Sequence, residues 1–157
     1  MRQFFFSANP LWDYKDICEN KFTIAPKLTF KKEEKLKSRK LIEQLFKSGK
    51  IFSISPFRII YIISRGDWYI LQSGFGASSK RFKKAVDRNR VKRLMREVYR
   101  LQKNRLKEVL KNNNKSMAVF FIYTGNTIGQ YDEIFKTMQA SLKKLEKIAN
   151  ENADENS

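Results

Sequence analysis

The 157-residue sequence contains no histidine and a single cysteine, Cys18. The first absence excludes histidine general bases, histidine-dependent triads and His-ligated metals. The second excludes an internal disulfide and a Cys-type zinc site, and fits a reducing cytoplasm. Acidic residues are also scarce: 16 Asp and Glu stand against 33 Lys and Arg, giving a formal charge of +17. With 6 Gly and 3 Pro there is no Gly- or Pro-rich linker, and no internal repeat is present. No apolar run reaches the roughly 18 residues needed to cross a bilayer. The opening MRQFFF resembles the start of an export signal, but Pro10, Asp13 and Asp16 interrupt any apolar stretch. No small-residue cleavage site follows, so a signal peptide is not expected.

What is present suffices for one core. Hydrophobic residues make up 41% of the chain and include 13 Phe, and the length suits a single domain. Residues 1–27 lack a clear period and read as a partly disordered extension. Residues 28–149 form the domain, and 150–157 are a polar, acidic tail expected to be disordered. Ser38 is placed to cap a short helix with Leu41, Ile42, Leu45 and Phe46 as its apolar stripe. Gly49 stands where a helix end favours a left-handed residue. Ile51 to Ile63 reads as a strand bent or edged by Pro56, and Arg65-Gly66-Asp67 as a hairpin turn into a strand from Trp68 to Gly76. Lys84 to Lys107 is the strongest helix, with Val91, Leu94, Met95, Val98 and Leu101 at helical spacing. The Asn112-Asn113-Asn114 run ends it. Met117 to Thr124 is an apolar, central strand, and Gln130 to Ile148 a last amphipathic helix. The order is α-β-β-α-β-α: an α+β fold with a small, mostly antiparallel sheet packed against helices.

Charge is concentrated in one place. Lys80 to Lys107 holds 13 basic residues and two acids, Asp87 and Glu97. At about 100° per residue, Arg88, Lys92, Arg96, Arg100 and Lys103 share a face with Asn89, opposite the apolar positions. A mixed charge run is ordinarily a solvated helix face. Here the sign is nearly uniform, and like charges one turn apart destabilise a bare helix. That pattern points to a polyanion, where Arg supplies bidentate phosphate contacts and Lys a point charge. Lys80, Arg81, Lys83 and Lys84 precede the helix, where free backbone N–H groups add to a phosphate site. Phe82, among these cations, either stacks a base or anchors the loop.

The segment Ala85-Val-Asp-Arg-Asn-Arg-Val-Lys-Arg-Leu94 resembles the Arg-Asn-Arg signature of the bacterial ribonuclease P protein family. Ser79-Lys80-Arg81 fits the same family, as do Ile42-Glu-Gln-Leu-Phe46-Lys-Ser-Gly49 and Pro56-Phe-Arg-Ile-Ile-Tyr61. The resemblance covers about residues 28–149. It implies a left-handed β-α-β crossover around the basic helix, against the usual preference. It also implies a division of labour: an RNA subunit hydrolyses the phosphodiester with divalent metal, magnesium bound mainly by RNA. The protein binds that RNA and the 5′ leader of precursor tRNA in a heterodimeric ribonucleoprotein. Arg88, Asn89, Arg90, Lys92, Arg93 and Arg96 match the family's RNA-binding helix, and Lys80 and Arg81 match its approach. Arg100, on the same basic stripe, is expected to bind RNA with them. Ile42, Phe46, Ile59 and Tyr61 match a leader cleft between the first helix and the sheet. Ala77 replaces a Ser common in the family, removing a hydrogen-bonding group from that cleft.

Three classes remain: the ribonuclease P protein that the resemblance implies, another RNA-binding module such as a ribosomal protein or RNA chaperone, which the basic stripe alone would equally permit, and a stand-alone metal-dependent nuclease. The last needs converging carboxylates, whereas Asp67, Asp87, Glu97, Glu108, Asp132 and Glu133 are scattered. No catalytic or metal-ligating residue is expected on the protein. A helix-turn-helix DNA reader fits poorly because strands flank the one charged helix. A membrane-surface role fits poorly because the opposite face is needed for the core.

Overall fold

The computed structural model describes residues 29–65 and 70–151. The extension at 1–27, most of the tail and the turn residues Gly66 and Asp67 lie outside them. A 3₁₀ turn, Lys32–Glu34, leads to helix α1, Arg39–Ser48. Strands β1 (Lys50–Ile54), β2 (Phe57–Arg65) and β3 (Leu71–Ala77) follow. The chain then forms helix α2 (Ala85–Asn112), strand β4 (Lys115–Tyr123) and helix α3 (Tyr131–Glu151). The fold is α+β, as the sequence predicts, with one more strand.

The extra strand arises at Pro56, which has no N–H for the ladder. What reads as one bent strand is a hairpin, Ile54 opposite Phe57, with Ser55 and Pro56 joined by a cis peptide. The hairpin expected across Arg65-Gly66-Asp67 is absent, because β2 and β3 are not neighbours. The sheet order is β1-β2-β4-β3, so β4 lies between β2 and β3, antiparallel to the first and parallel to the second. Helix α2 is thus the crossover of a parallel β-α-β unit, and β4 is central, with both faces covered.

Alternation along the strands builds two cores. Phe57, Ile59 and Tyr61 of β2 join Met117, Val119, Phe121 and Tyr123 of β4 beneath α2 and α3. Ile60 and Ala118 face the other way, against Leu36 and Leu45, with Ile62, Phe120 and Ile122 partly buried beside them. Ser38 caps α1 as expected, accepting from Leu41 N at 3.4 Å. Gly49 is not left-handed: its φ is −69°. Glycine is needed there for close approach, since a Cβ would stand 2.2 Å from the Leu45 carbonyl oxygen and 2.7 Å from Ile60 Cγ2.

Helix α2 stops in the Asn run, where Asn114 takes φ 51°, a conformation Asn tolerates better than most residues. Lys115 then donates to the Ala149 carbonyl at 2.6 Å, and Asn113 Nδ2 to Asn150 Oδ1 at 2.9 Å. These bonds hold the end of α3, which continues through Glu151, two residues into the segment that reads as tail.

Candidate nucleic-acid interface

The approach to α2 is fixed by one buried ring. Phe82 is 6% exposed and packs on Tyr123, centroids 5.9 Å apart, so it anchors the loop. Lys80, Arg81, Lys83 and Lys84 remain exposed around it. Arg81 donates to Asn126 Oδ1, tying the loop to the β4–α3 connection. Arg88 is half-buried and turned back: its Nη1 donates at 2.8 Å to the carbonyls of both Phe82 and Lys83. It orders the approach and spends part of its fork doing so.

The outward face of α2 differs from the predicted one by roughly 70° about the helix axis. Tyr99 is buried and accepts a hydrogen bond from Ser73, and burial pushes its hydroxyl pKa up. Lys103, placed on the cationic face by its charge, is 3% exposed and ion-paired with Glu34. These two draw the helix inward on the side expected to face out. The open ridge is Asn89, Arg90, Arg93 and Arg96, with Lys92 and Arg100 half-buried at its flanks. Arg100 binds Glu97, Nε to Oε2 at 3.1 Å, and this hydrogen bond holds the Glu97 carboxyl below its ordinary range.

Beside the ridge is an open groove of about 1320 Å³, floored by Leu94 and walled by Ile128 to Gln130 of the β4–α3 connection and by Tyr131 and Asp132 of α3. Tyr123 shapes that connection: its hydroxyl donates to Thr127 O at 2.8 Å and accepts from Gly129 N at 3.0 Å. Tyr131, which opens α3, lines the groove. The sequence reading missed it, although an aromatic pair at Tyr131 and Phe135, one turn apart, was visible.

The four predicted leader-cleft residues do not share a cleft. Ile42 and Phe46 lie on the α1 side of the sheet; Ile59 and Tyr61 lie on the α2–α3 side. Ile59 is 0% and Tyr61 7% exposed, and burial pushes the Tyr61 hydroxyl pKa up. Successive strand residues alternate in face, so β2 presents Arg58, Ile60 and Ile62 to the α1 side instead. There Phe46, 49% exposed, meets Phe120 edge-on at 5.2 Å. Gly74 and Gly76 of β3 leave room for the Phe120 ring: a Cβ at Gly74 would stand 2.4 Å from it. Ala77 packs against the larger core, so its missing hydroxyl is not lost from this face.

The family model described as Ribonuclease P matches residues 30–146. The chain belongs to the ribonuclease P protein family. The ribonuclease P protein component of Porphyromonas gingivalis strain W83 is 33% identical over 124 residues, covering 78% of this chain and 90% of that protein. The component from Syntrophus aciditrophicus is 33% identical over 119 residues, covering 75% and 92% respectively. Among solved structures, the ribonuclease P protein from Thermotoga maritima aligns with a TM-score of 0.54 at 22% identity. That alignment covers 71% of this chain and 96% of the other, and supports the shared fold. The ribonuclease P family match spans α1, the whole sheet and the basic helix.

Proposed function

We propose that this chain is the protein subunit of a ribonuclease P ribonucleoprotein. It binds one catalytic RNA subunit and the 5′ leader of precursor tRNA, supporting endonucleolytic removal of the leader to give mature tRNA 5′ ends. The observation that carries the reading is the exposed Asn89, Arg90, Arg93 and Arg96 ridge on a helix of this family. Arginines one turn apart suit phosphate contacts, and a polyanion relieves their mutual repulsion on the helix.

The chemistry is assigned to the RNA, with magnesium held mainly there. Among the described residues no group of three or more His, Cys, Asp or Glu is placed to hold a metal ion. The leader is assigned to the α1 side of the sheet. There the exposed Phe46 ring, with the partly buried Phe120 ring beside it, offers a face that stacks bases of any identity, and Arg58 lies on the same side for phosphate. No described helix is long and apolar enough to cross a membrane, and a cytoplasmic site of action follows from the proposed substrate.

Reconstitution tests this reading. The full chain, added to a ribonuclease P RNA at low magnesium, should stimulate precursor tRNA cleavage and show no nuclease activity alone. Binding both RNAs without stimulation would favour a general RNA-binding module. Cleavage by the protein alone would place the chemistry on the chain.

A further inference from the structure

Tyr131 is one of the few large apolar side chains left open among the described residues, at 42% exposure. It is not a frayed core residue. Its ring leans on Phe135, centroids 6.0 Å apart and planes at 34°, which backs one side. The following inward positions of α3, Ile134 and Met138, are fully buried. The groove it lines also receives Arg90, Arg93, Arg96 and Arg100 from α2. At about 1320 Å³ this groove exceeds the roughly 300–1,000 Å³ of a small-molecule pocket, as a polymer tract requires.

Charge sorts the groove into two parts. Glu97 is engaged by Arg100, so the acid on the ridge is neutralised. Asp132, next to Tyr131 in the first turn of α3, lines the same wall, and among the described residues no arginine is ion-paired with it. Phosphate is therefore favoured over the four arginines of the ridge, away from the α3 wall where the ring stands. A duplex offers phosphates and groove edges but keeps its base faces stacked inside. An unpaired base offers a face.

We infer that Tyr131 is a stacking platform for an unpaired base, making the α2–α3 groove a site for single-stranded RNA whose phosphates lie along the arginine ridge. The inference rests on the proposed RNA-binding function and adds which conformation of RNA this face selects. It is separate from the leader surface, which lies on the opposite side of the sheet.

The test uses the full chain, with a ten-nucleotide single strand carrying 2-aminopurine and a blunt duplex as probes. Tyr131→Ala should weaken single-strand binding by about five-fold or more, the lower end of base–aromatic stacking, and relieve 2-aminopurine quenching. Duplex binding should change by less than about two-fold, and Tyr131→Phe should restore the single-strand value because the ring suffices. Repeating the series in a Phe46→Ala background should give the same ratio. Equal losses on both probes, no loss on either, or a ratio that vanishes without Phe46 would each overturn the inference. Thermal melts confirm that every variant is folded. A wild-type chain that fails to stimulate a ribonuclease P RNA would overturn the functional reading instead, and the groove is then judged on the oligonucleotides alone.

Discussion

The Glu34 carboxylate is shared by Lys103 and Lys107, two cations one turn apart on α2. Lys103 also donates to the Thr29 carbonyl at 2.8 Å and lies over the Phe30 ring, 5.7 Å from its centroid. The segment preceding α1 is thereby strapped to the middle of the basic helix, and one cation of the run is withdrawn from solvent.

Loss of that carboxylate leaves Lys103 charged and buried without its partner. Glu34→Gln should cost about 3 kcal/mol, as breaking a buried pair typically does. Burial pushes the Glu34 pKa up, but hydrogen bonds from Lys103, Lys107 and Lys31 N–H outweigh it and hold the carboxyl below the ordinary carboxylate range. A folded value below the unfolded one gives stability that is present above the ordinary carboxylate pKa and lost as pH falls through the folded value. Urea denaturation of wild type and variant from pH 7 to 3 should show their difference shrinking in that acid range. A pH-independent difference would mean that packing alone is at work.

The salt dependence of RNA binding should follow the observed ridge. Arg93→Ala and Arg96→Ala should each flatten the log–log salt slope by up to about one unit. Lys103→Ala should lower the melting temperature and leave the slope of the folded protein unchanged. A slope that responds to Lys103 and ignores Arg93 would put the phosphates on the face predicted from charge spacing.

Phe46 and Tyr61 should behave in opposite ways. Phe46→Ala should reduce the preference for precursor over mature tRNA by roughly ten-fold, within the range for one stacked base, with a small change in stability. Tyr61→Ala removes a buried ring packed on Phe52 at 5.9 Å and should destabilise by about 3–5 kcal/mol. Its effects on precursor and mature tRNA should be equal. Melts alongside binding of precursors with leaders of different length check both.

Gly74→Ala would drive a methyl into the Phe120 ring. Overpacking of this kind costs about 1–3 kcal/mol, and the displaced ring should also weaken leader binding. Measured stability together with precursor affinity decides it; a neutral effect on both would mean the ring moves freely.

Local signals located most elements within a few residues. The apolar stripe and the Asn run bounded α2, and Ser38 marked the start of α1. What local signals could not supply was pairing. Nothing near Ile60 states that its partners are Ile51 on one side and Phe120 on the other, and strand parity cannot say which face meets which helix. The leader residues were therefore split between two faces. The cationic face differs from the one charge spacing predicts because Tyr99 and Lys103 turn inward: long side chains can bury their stems and keep a polar tip satisfied. Glu34, the partner that makes this possible, is distant in sequence and carries no motif.

The insertion of β4 between β2 and β3 has a consequence for biosynthesis. Phe57 waits for Tyr123, and apart from the bridge of Ser73 to Lys35 the pairing of β3 waits for the same late strand. A nascent chain that has emerged only through α2 holds its arginines on a helix with no completed sheet to rest against, and such distant pairings form slowly. Translation past Tyr123 is what turns a basic segment into an oriented binding surface, so a chain cut short in β4 would keep the charge and lose its aim.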